Sequence, residues 1–333
     1  MKLRTIGLIS TLAVGLLAGP LPVEAQQVGK VYRIGFLTPG SPVKSFKLRL
    51  TAFRQGLKKL GYVEGKNIVI EERYAKGRRE KLPKLAAELV RLNFDVIVTH
   101  GSSVGIVVDQ AAKAVGRTIP IVFAVSADPI GDGAVASLAR PGGNITGLSD
   151  SHSDLVPKRL ELLKEVVPSA SRVAVLWDPG TPHTARQLKA LKAVAPTLGV
   201  TLLPVRFAEP DVGDAFAEIR REGPDALNVF GWSLIATYRR QIAEFALKNR
   251  LPAISTAERS ARVGFLMSYG VNFQDMYRRA ATFVDKILKG AKPAELPVEQ
   301  PTRFYLTLNL KTAKVLGIKF PPEVLFRADK VIK

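Results

Sequence analysis

The sequence predicts an α/β protein built of two similar, doubly wound (Rossmann-like) lobes, and three observations carry that expectation. Apolar runs of strand length alternate with helical patterns almost throughout. The second half of that alternation repeats the order of the first. The chain has 333 residues, room for about two domains at roughly 150 residues each.

Taken in order, Arg33–Leu37, Asn67–Ile70, Asp95–Thr99 and Ile119–Val125 read as strands. They are continuous rather than alternating, the pattern of a parallel sheet covered on both faces. Phe46–Leu60 and Leu82–Leu92 lie between them with apolar residues at helical spacing. Helices are then expected at Leu155–Val167, Ala185–Leu198 and Tyr238–Lys248. Strands are expected at Arg172–Trp177, Val200–Val205, Asp225–Phe230, Pro252–Ser255 and Phe265–Ser268.

The repeat is visible in residues. Arg33-Ile-Gly-Phe-Leu-Thr-Pro-Gly-Ser-Pro42 parallels the run from Arg172 to Pro182, and Val90–Ser103 parallels Ile219–Ser233. Ile119-Pro120 and Leu251-Pro252 each open the next strand. In open parallel sheets, ligands meet the carboxyl ends of the strands. Two such lobes face each other across a cleft. Thr38, Gly101–Ser103 and Ala124–Asp128 are expected on one wall, and Trp177-Asp178, Phe230–Ser233 and Ser255–Glu258 on the other.

Residues 1–25 read as a cleavable secretory signal. Lys2 and Arg4 precede the apolar run Ile6–Ala18, which is too short to span a bilayer, and Val23-Glu24-Ala25 offers small residues for cleavage. An uncleaved N-terminal anchor is the alternative. The chain has no cysteine, which excludes disulfides, thiol catalysis, cysteine metal sites and a bacterial lipid anchor. A soluble periplasmic protein, not inserted in the membrane after cleavage, is expected. The net charge of +20 raises the question of nucleic acid, but the Lys and Arg residues are dispersed and no basic-aromatic interleaving appears. No nucleic-acid partner is expected. No Walker loop, dinucleotide fingerprint or metal cluster is present in the sequence, so no metal or other cofactor is expected.

One motif points to an enzyme. Gly101-Ser-Ser-Val-Gly105 fits the G-x-S-x-G nucleophile elbow, with a strand before it and a helix after it. Such hydrolases place their histidine late, after the serine and the acid. The histidines here are His100, His152 and His183, and the long remainder of the chain has none. An exported serine hydrolase using Ser103 is therefore the alternative reading; a non-enzymatic ligand cradle is the preferred one.

Several stretches carry a family resemblance. They include Leu60-Gly-Tyr-Val-Glu-Gly-Lys-Asn-Ile68, Ile119-Pro-Ile-Val-Phe-Ala124, Ala136-Ser-Leu-Ala-Arg-Pro-Gly-Gly-Asn-Ile-Thr-Gly-Leu-Ser149, Leu266-Met-Ser-Tyr-Gly270 and Asn309-Leu-Lys-Thr-Ala-Lys-Val-Leu-Gly317. On these the chain resembles ABC transporter substrate-binding proteins of the type I periplasmic-binding fold, in the branch that includes importers of tryptophan and tyrosine. The resemblance implies three crossover segments, near Ser149, Gly270 and Arg303. Lobe 1 is then 28–148 plus 271–302, and lobe 2 is 149–270 plus 303–333. It also implies a monomer that captures a small organic ligand, an amino acid or a planar or aromatic carboxylate, and delivers it to an ABC permease in the inner membrane. A subunit that senses the ligand for a membrane receptor is a further alternative.

Candidate ligand-binding residues follow from these placements. Ser102 and Ser103 begin a helix, where free amides and hydroxyls can receive a carboxylate; a simple N-cap is the other reading. Thr38 ends the first strand. Asp128 and Asp178 either pair with an ammonium group or set up turns before Pro129 and Pro179. Trp232, beside Ser233, is placed to stack on a planar ligand, as is Trp177 more weakly; a core role is the alternative for both. Tyr269 either covers the ligand or packs at a hinge. Thr146, Ser149, Gly270 and Arg303 are the expected hinge positions.

Overall fold

A computed structural model describes residues 30–150, 152–208, 212–231 and 233–333. The expected signal segment and Trp232 lie outside the described residues. From Val31 onward the chain forms two sheets, each covered by helices on both faces.

The first lobe runs β1 (Tyr32–Thr38), α1 (Lys44–Lys59), β2 (Ile68–Tyr74), α2 (Leu82–Arg91), β3 (Val96–His100), α3 (Ser102–Lys113), β4 (Ile121–Ser126) and β5 (Ile145–Ser149). The second runs α4 (His152–Val166), β6 (Arg172–Trp177), α5 (Pro182–Val194), β7 (Thr201–Arg206), α6 (Val212–Glu222), β8 (Ala226–Val229), α7 (Ser233–Lys248), β9 (Ala253–Ser255), α8 (Glu258–Arg262) and β10 (Met267–Gly270). Then α9 (Phe273–Leu288) returns to the first lobe. Finally β11 (Tyr305–Asn309), α10 (Leu310–Leu316), α11 (Pro322–Phe326) and β12 (Lys330–Ile332) complete the second.

The first sheet has strand order β2-β1-β3-β4-β5, all parallel. Read from its other edge, the second begins β7-β6-β8-β9-β10, the same order, and adds β11 and β12. The repeat in the sequence is thus a repeat of topology. In both sheets the order reverses beside the first strand, which opens a crevice at the carboxyl ends.

Continuous apolar strands meet helices on each side. Ile34, Phe36, Val96, Val98 and Val122 pack on α1 and α9, while Ile97, Ile121 and Phe123 pack on α2 and α3. In α1, Phe46, Leu50, Phe53 and Leu57 recur at helical spacing and are buried. Gly56 lets that helix approach α9: a Cβ there would lie 2.5 Å from the Arg278 carbonyl oxygen. Asn272 caps α9 by accepting from the Gln274 amide at 3.0 Å.

Sequence patterning and structure differ in places. The second sheet is not wholly parallel: β11 runs antiparallel to β10, Met267 opposite Leu308 and Gly270 opposite Tyr305. The chain re-enters this sheet from the other lobe, so it arrives at the opposite end. β5, β11 and β12 were not legible as strands: β5 and β11 owe their state to neighbours distant in sequence, and β12 is a three-residue edge strand. β5 also carries a glycine in mid-strand and β12 is only half-buried.

The chain passes between sheets after β5, after β10 and between α9 and β11. The first and third passages run side by side. The Ser149 amide donates to the Glu299 carbonyl at 2.9 Å, the Glu299 amide to the Gly147 carbonyl at 3.1 Å, and the Thr146 hydroxyl to the Leu296 carbonyl at 2.6 Å. At the second passage the Arg159 guanidinium donates to the Tyr269 carbonyl at 3.3 Å. Arg303, near the third, pairs with Asp329 at 2.8 Å and lies over the Tyr305 ring.

Candidate functional site

Between the carboxyl ends of the two sheets lies a cavity of about 250 Å³. That is small beside typical ligand pockets of about 300–1,000 Å³. The first lobe contributes the loop after β1, Phe46 and Arg49 of α1, His100, Gly101, Ser103 and Val104 at the turn into α3, Ser126 at the end of β4 and Asp150 just after β5. The second contributes Gly231, Ile235 and Arg239 around α7, Ser255 at the end of β9 with Thr256 and Ala257 after it, and Ser260 of α8. Phe273, at the start of α9, closes one side.

The turn from β3 into α3 explains its own shape. Gly101 has φ 97°, which favours glycine, and its carbonyl receives the Gly105 amide. The first amides of α3 are left pointing toward the cleft, at the positive end of a helix dipole. Gly105 sits close to Ile121 and Ile145, so the helix can pack tightly on the sheet.

The cavity is strongly cationic. Arg239 is buried, and burial together with the charges of Arg49 and Arg259 lowers its pKa to about 10. Arg49 is held below its ordinary value by burial, partly offset by the Tyr277 hydroxyl and the charge of Asp150. Its guanidinium lies 4.2 Å from the Phe273 ring centroid. Arg159, fully buried and within reach of the Asp150 charge, is pushed down to about 10, chiefly by burial. His100 is lowered to about 3, first by burial and then by Arg49. It is therefore neutral at physiological pH, and its Nδ1 lies 2.7 Å from the Tyr277 hydroxyl.

The predicted site residues separate into a wall and its supports. Ser103 faces the cavity. Ser102 is buried behind it, bonded to the Ser126 hydroxyl and the Asp132 carboxylate at 2.6 Å each. Thr38 is buried and its hydroxyl accepts from the Gly40 amide at 3.1 Å, which shapes the loop that does line the cavity. Asp128 accepts from the Gly131 amide at 2.8 Å and pairs with Arg186 at 2.5 Å. Asp178 accepts from the Gly180 amide and the Thr181 hydroxyl, in the turn geometry named as its alternative. Neither aspartate lines the cavity. Tyr269 packs near Phe304 and on the second-lobe core, as Trp177 does on that core. Ser233 begins α7, next to the cavity-lining Gly231.

Sequence reading missed Arg49, Arg239 and Ser260. A signal was present for the arginines. Arg49 falls between Phe46, Leu50 and Phe53, and Arg239 between Ile235, Ile242 and Ala243. A cation on an apolar helix face is costly in a core and affordable only at a cavity or with a partner.

No histidine hydrogen-bonds to Ser103 among the described residues. The adjacent His100 directs its Nδ1 to Tyr277 instead. Among the described residues no cluster of three potential metal ligands occurs, and no helix is long and apolar enough to cross a membrane.

Known proteins share this architecture. A Vibrio cholerae structure described as a conserved domain protein superposes with TM-score 0.83 at 28% identity, covering 91% of this chain and 100% of that one. The structure of an ABC domain from Streptococcus pneumonia in complex with L-Trp superposes with TM-score 0.79 at 26% identity, covering 90% of this chain and all of the other. A tyrosine-binding protein of Clostridioides difficile is 26% identical over 268 residues, 80% of this chain and 76% of that protein. The family described as ABC transporter substrate binding protein matches residues 44–332, and with two parallel-sheet lobes facing one cavity, the chain belongs to that family.

Proposed function

We propose that the chain is the exported receptor of an importer: it captures one small organic molecule between its lobes in the periplasm, as a monomer, and hands it to an inner-membrane permease without making or breaking a bond. The observation that carries this reading is the cavity itself, walled by both lobes at the carboxyl ends of their strands. Its aromatic and cationic lining suits an amino acid or a planar carboxylate, and the relatives that bind tryptophan or tyrosine support that size class.

The test is a melting-temperature survey of the purified mature protein against amino acids, organic acids and sugars. A ligand at a hundred times its Kd adds about 2.7 kcal/mol of stability. For a protein of this size the midpoint should rise by roughly 5 °C. No shift with any solute, together with ester turnover lost in Ser103→Ala, would establish the hydrolase instead. Under the receptor reading that substitution only weakens binding.

Two arginines tie the lobes together at the cavity's edge. Arg79 of the first lobe contacts the Gly180 carbonyl and the Thr181 hydroxyl, and pairs with Asp178 at 3.2 Å. Arg186 of the second pairs with Asp128 and Asp132 at 2.5 Å each. These contacts exist only while the lobes are together. Partly exposed pairs contribute about 0.2–1 kcal/mol each. Replacing both arginines by alanine should therefore weaken ligand binding about tenfold and enlarge the radius of gyration in small-angle scattering. An unchanged radius and affinity would show that the latches are idle.

A further inference from the structure

The second-lobe wall holds polar groups that the protein itself leaves unanswered. Arg239 Nε, Ser255 Oγ and Ser260 Oγ are buried and have no hydrogen-bond partner. Arg239 is 8% exposed, Ser255 1% and Ser260 0%. All three residues line the same cavity. The protein interior does not bury such groups without return, and a cation least of all. The charges that act on Arg239 are Arg49 and Arg259, both cations. One guanidinium fork and two hydroxyl donors are the donor set for a carboxylate.

Among the described residues the cavity offers no carboxylate left over for the opposite end of an amino acid. An ammonium group needs a carboxylate or an array of carbonyl acceptors. Asp132 and Asp150 are the carboxylates that line the cavity among the described residues. Asp132 is occupied on both oxygens, by Ser102 at 2.6 Å and by Arg186 at 2.5 Å. Asp150 is buried and acts electrostatically on both Arg49 and Arg159. Charges near the cavity thus leave an excess of cations, and a ligand ammonium would add another at short range. Phe46, Phe273 and Ile235 offer apolar contact for the rest of the ligand.

We propose that the ligand is an organic acid that carries no amino group, its carboxylate held by Arg239 with Ser255 and Ser260. This rests on the receptor reading above and narrows it. Arg239, Ser255 and Ser260 are then the residues that set specificity, and the aromatic acids related to tryptophan and tyrosine by loss of the amine are better ligands than the amino acids themselves.

Titration calorimetry on the mature chain tests this with matched pairs: 3-(indol-3-yl)propanoate against tryptophan, 3-(4-hydroxyphenyl)propanoate against tyrosine, and the primary amide of each acid. At least one acid should bind ten times more tightly than its amino-acid counterpart, and its amide should not bind measurably. Arg239→Met should weaken the acid at least a hundredfold while the melting temperature without ligand holds or rises, because a buried unpaired cation is gone. Ser255→Ala with Ser260→Ala keeps the cation and should cost about tenfold. An amino acid that binds as well as its amine-free partner, or full acid affinity in Arg239→Met, overturns the proposal. If these probes are silent, the solute identified by mass spectrometry of the protein purified from its host decides it: an amine-free acid supports it, and an amine or neutral solute overturns it while the receptor reading stands. If no solute of any class binds, the receptor reading itself falls.

Discussion

Replacing Gly147 by alanine is expected to cost at least about 4 kcal/mol, a large share of the stability of a folded domain. Gly147 has φ 150°, and a Cβ there would lie 2.0 Å from the Phe123 carbonyl oxygen and 2.8 Å from the Phe123 amide nitrogen. Overpacking by a methylene in a core costs about 1–3 kcal/mol. This contact is worse, because the obstacle is backbone. Phe123 lies in β4, hydrogen-bonded to β3 on one side and β5 on the other, and its fully buried ring fills the core between sheet and helices. Neither strand can retreat. An unfavourable backbone angle adds about 1–3 kcal/mol, and whole-protein stability is only about 5–15 kcal/mol. Gly143→Ala is the control, since nothing lies within 4 Å of its added methyl. It should shift stability by no more than about 0.5 kcal/mol. Urea unfolding of both variants decides the matter, and a Gly147→Ala protein within 1 kcal/mol of the parent refutes the account.

The second large effect is acid sensitivity through His100. Its folded pKa of about 3 lies far below the free value of 6.5. Between those values the unfolded chain binds a proton that the folded chain does not. Stability from this residue is therefore complete above pH 6.5 and declines as pH falls toward 3. Integrated from pH 8 to pH 4, the loss is about 3 kcal/mol. The cause is local. The ring packs edge-on to Phe46, its Nδ1 meets the Tyr277 hydroxyl, and Arg49 stands nearby. Burial and Arg49 favour the neutral imidazole, and together they outweigh the opposing charge of Asp150. Denaturant midpoints measured from pH 8 to pH 4 should fall steeply in the parent. In His100→Gln the fall should be shallower by about that amount. Equal slopes would mean that the ring finds water or a carboxylate when it protonates. The same neutrality makes the adjacent His100 a poor general base for Ser103 of the Gly101–Gly105 motif. A general base must accept a proton near the working pH, and this histidine does so only far below it.

Much of the architecture was legible because the continuous apolar runs and the helical periodicity between them were both strong. Runs such as Ile119–Val125 have no place except a two-sided core, and the helix at Phe46–Leu60 shows its stripe plainly. The repeat then gave the position of the cleft. What escaped depended on distance in sequence. β11 is a strand because β10 lies beside it, and β5 is a strand because β4 and the 296–299 segment flank it; neither fact leaves a local trace. The same holds for the site. Gly101–Ser103 could be placed at a strand end from pattern alone. Asp128 and Asp178 were ambiguous between turn and ligand, and only the Arg186 and Arg79 contacts show what they hold. Arg239 lies within α7, where local pattern shows a charged residue on an apolar stripe but not the cavity it faces.

The paired passages beside β5 bear on how such a molecule can move at all. Two linkers that ran separately would let one lobe roll, tilt or slide against the other. Here the strand ending at Ser149 and the segment at Glu299 are laced by main-chain bonds in both directions. They must flex as one ribbon, and a ribbon bends readily only across its flat face. The motion such a ribbon favours is a clamshell swing, whose free edge would be the rim where Arg79 and Arg186 reach across.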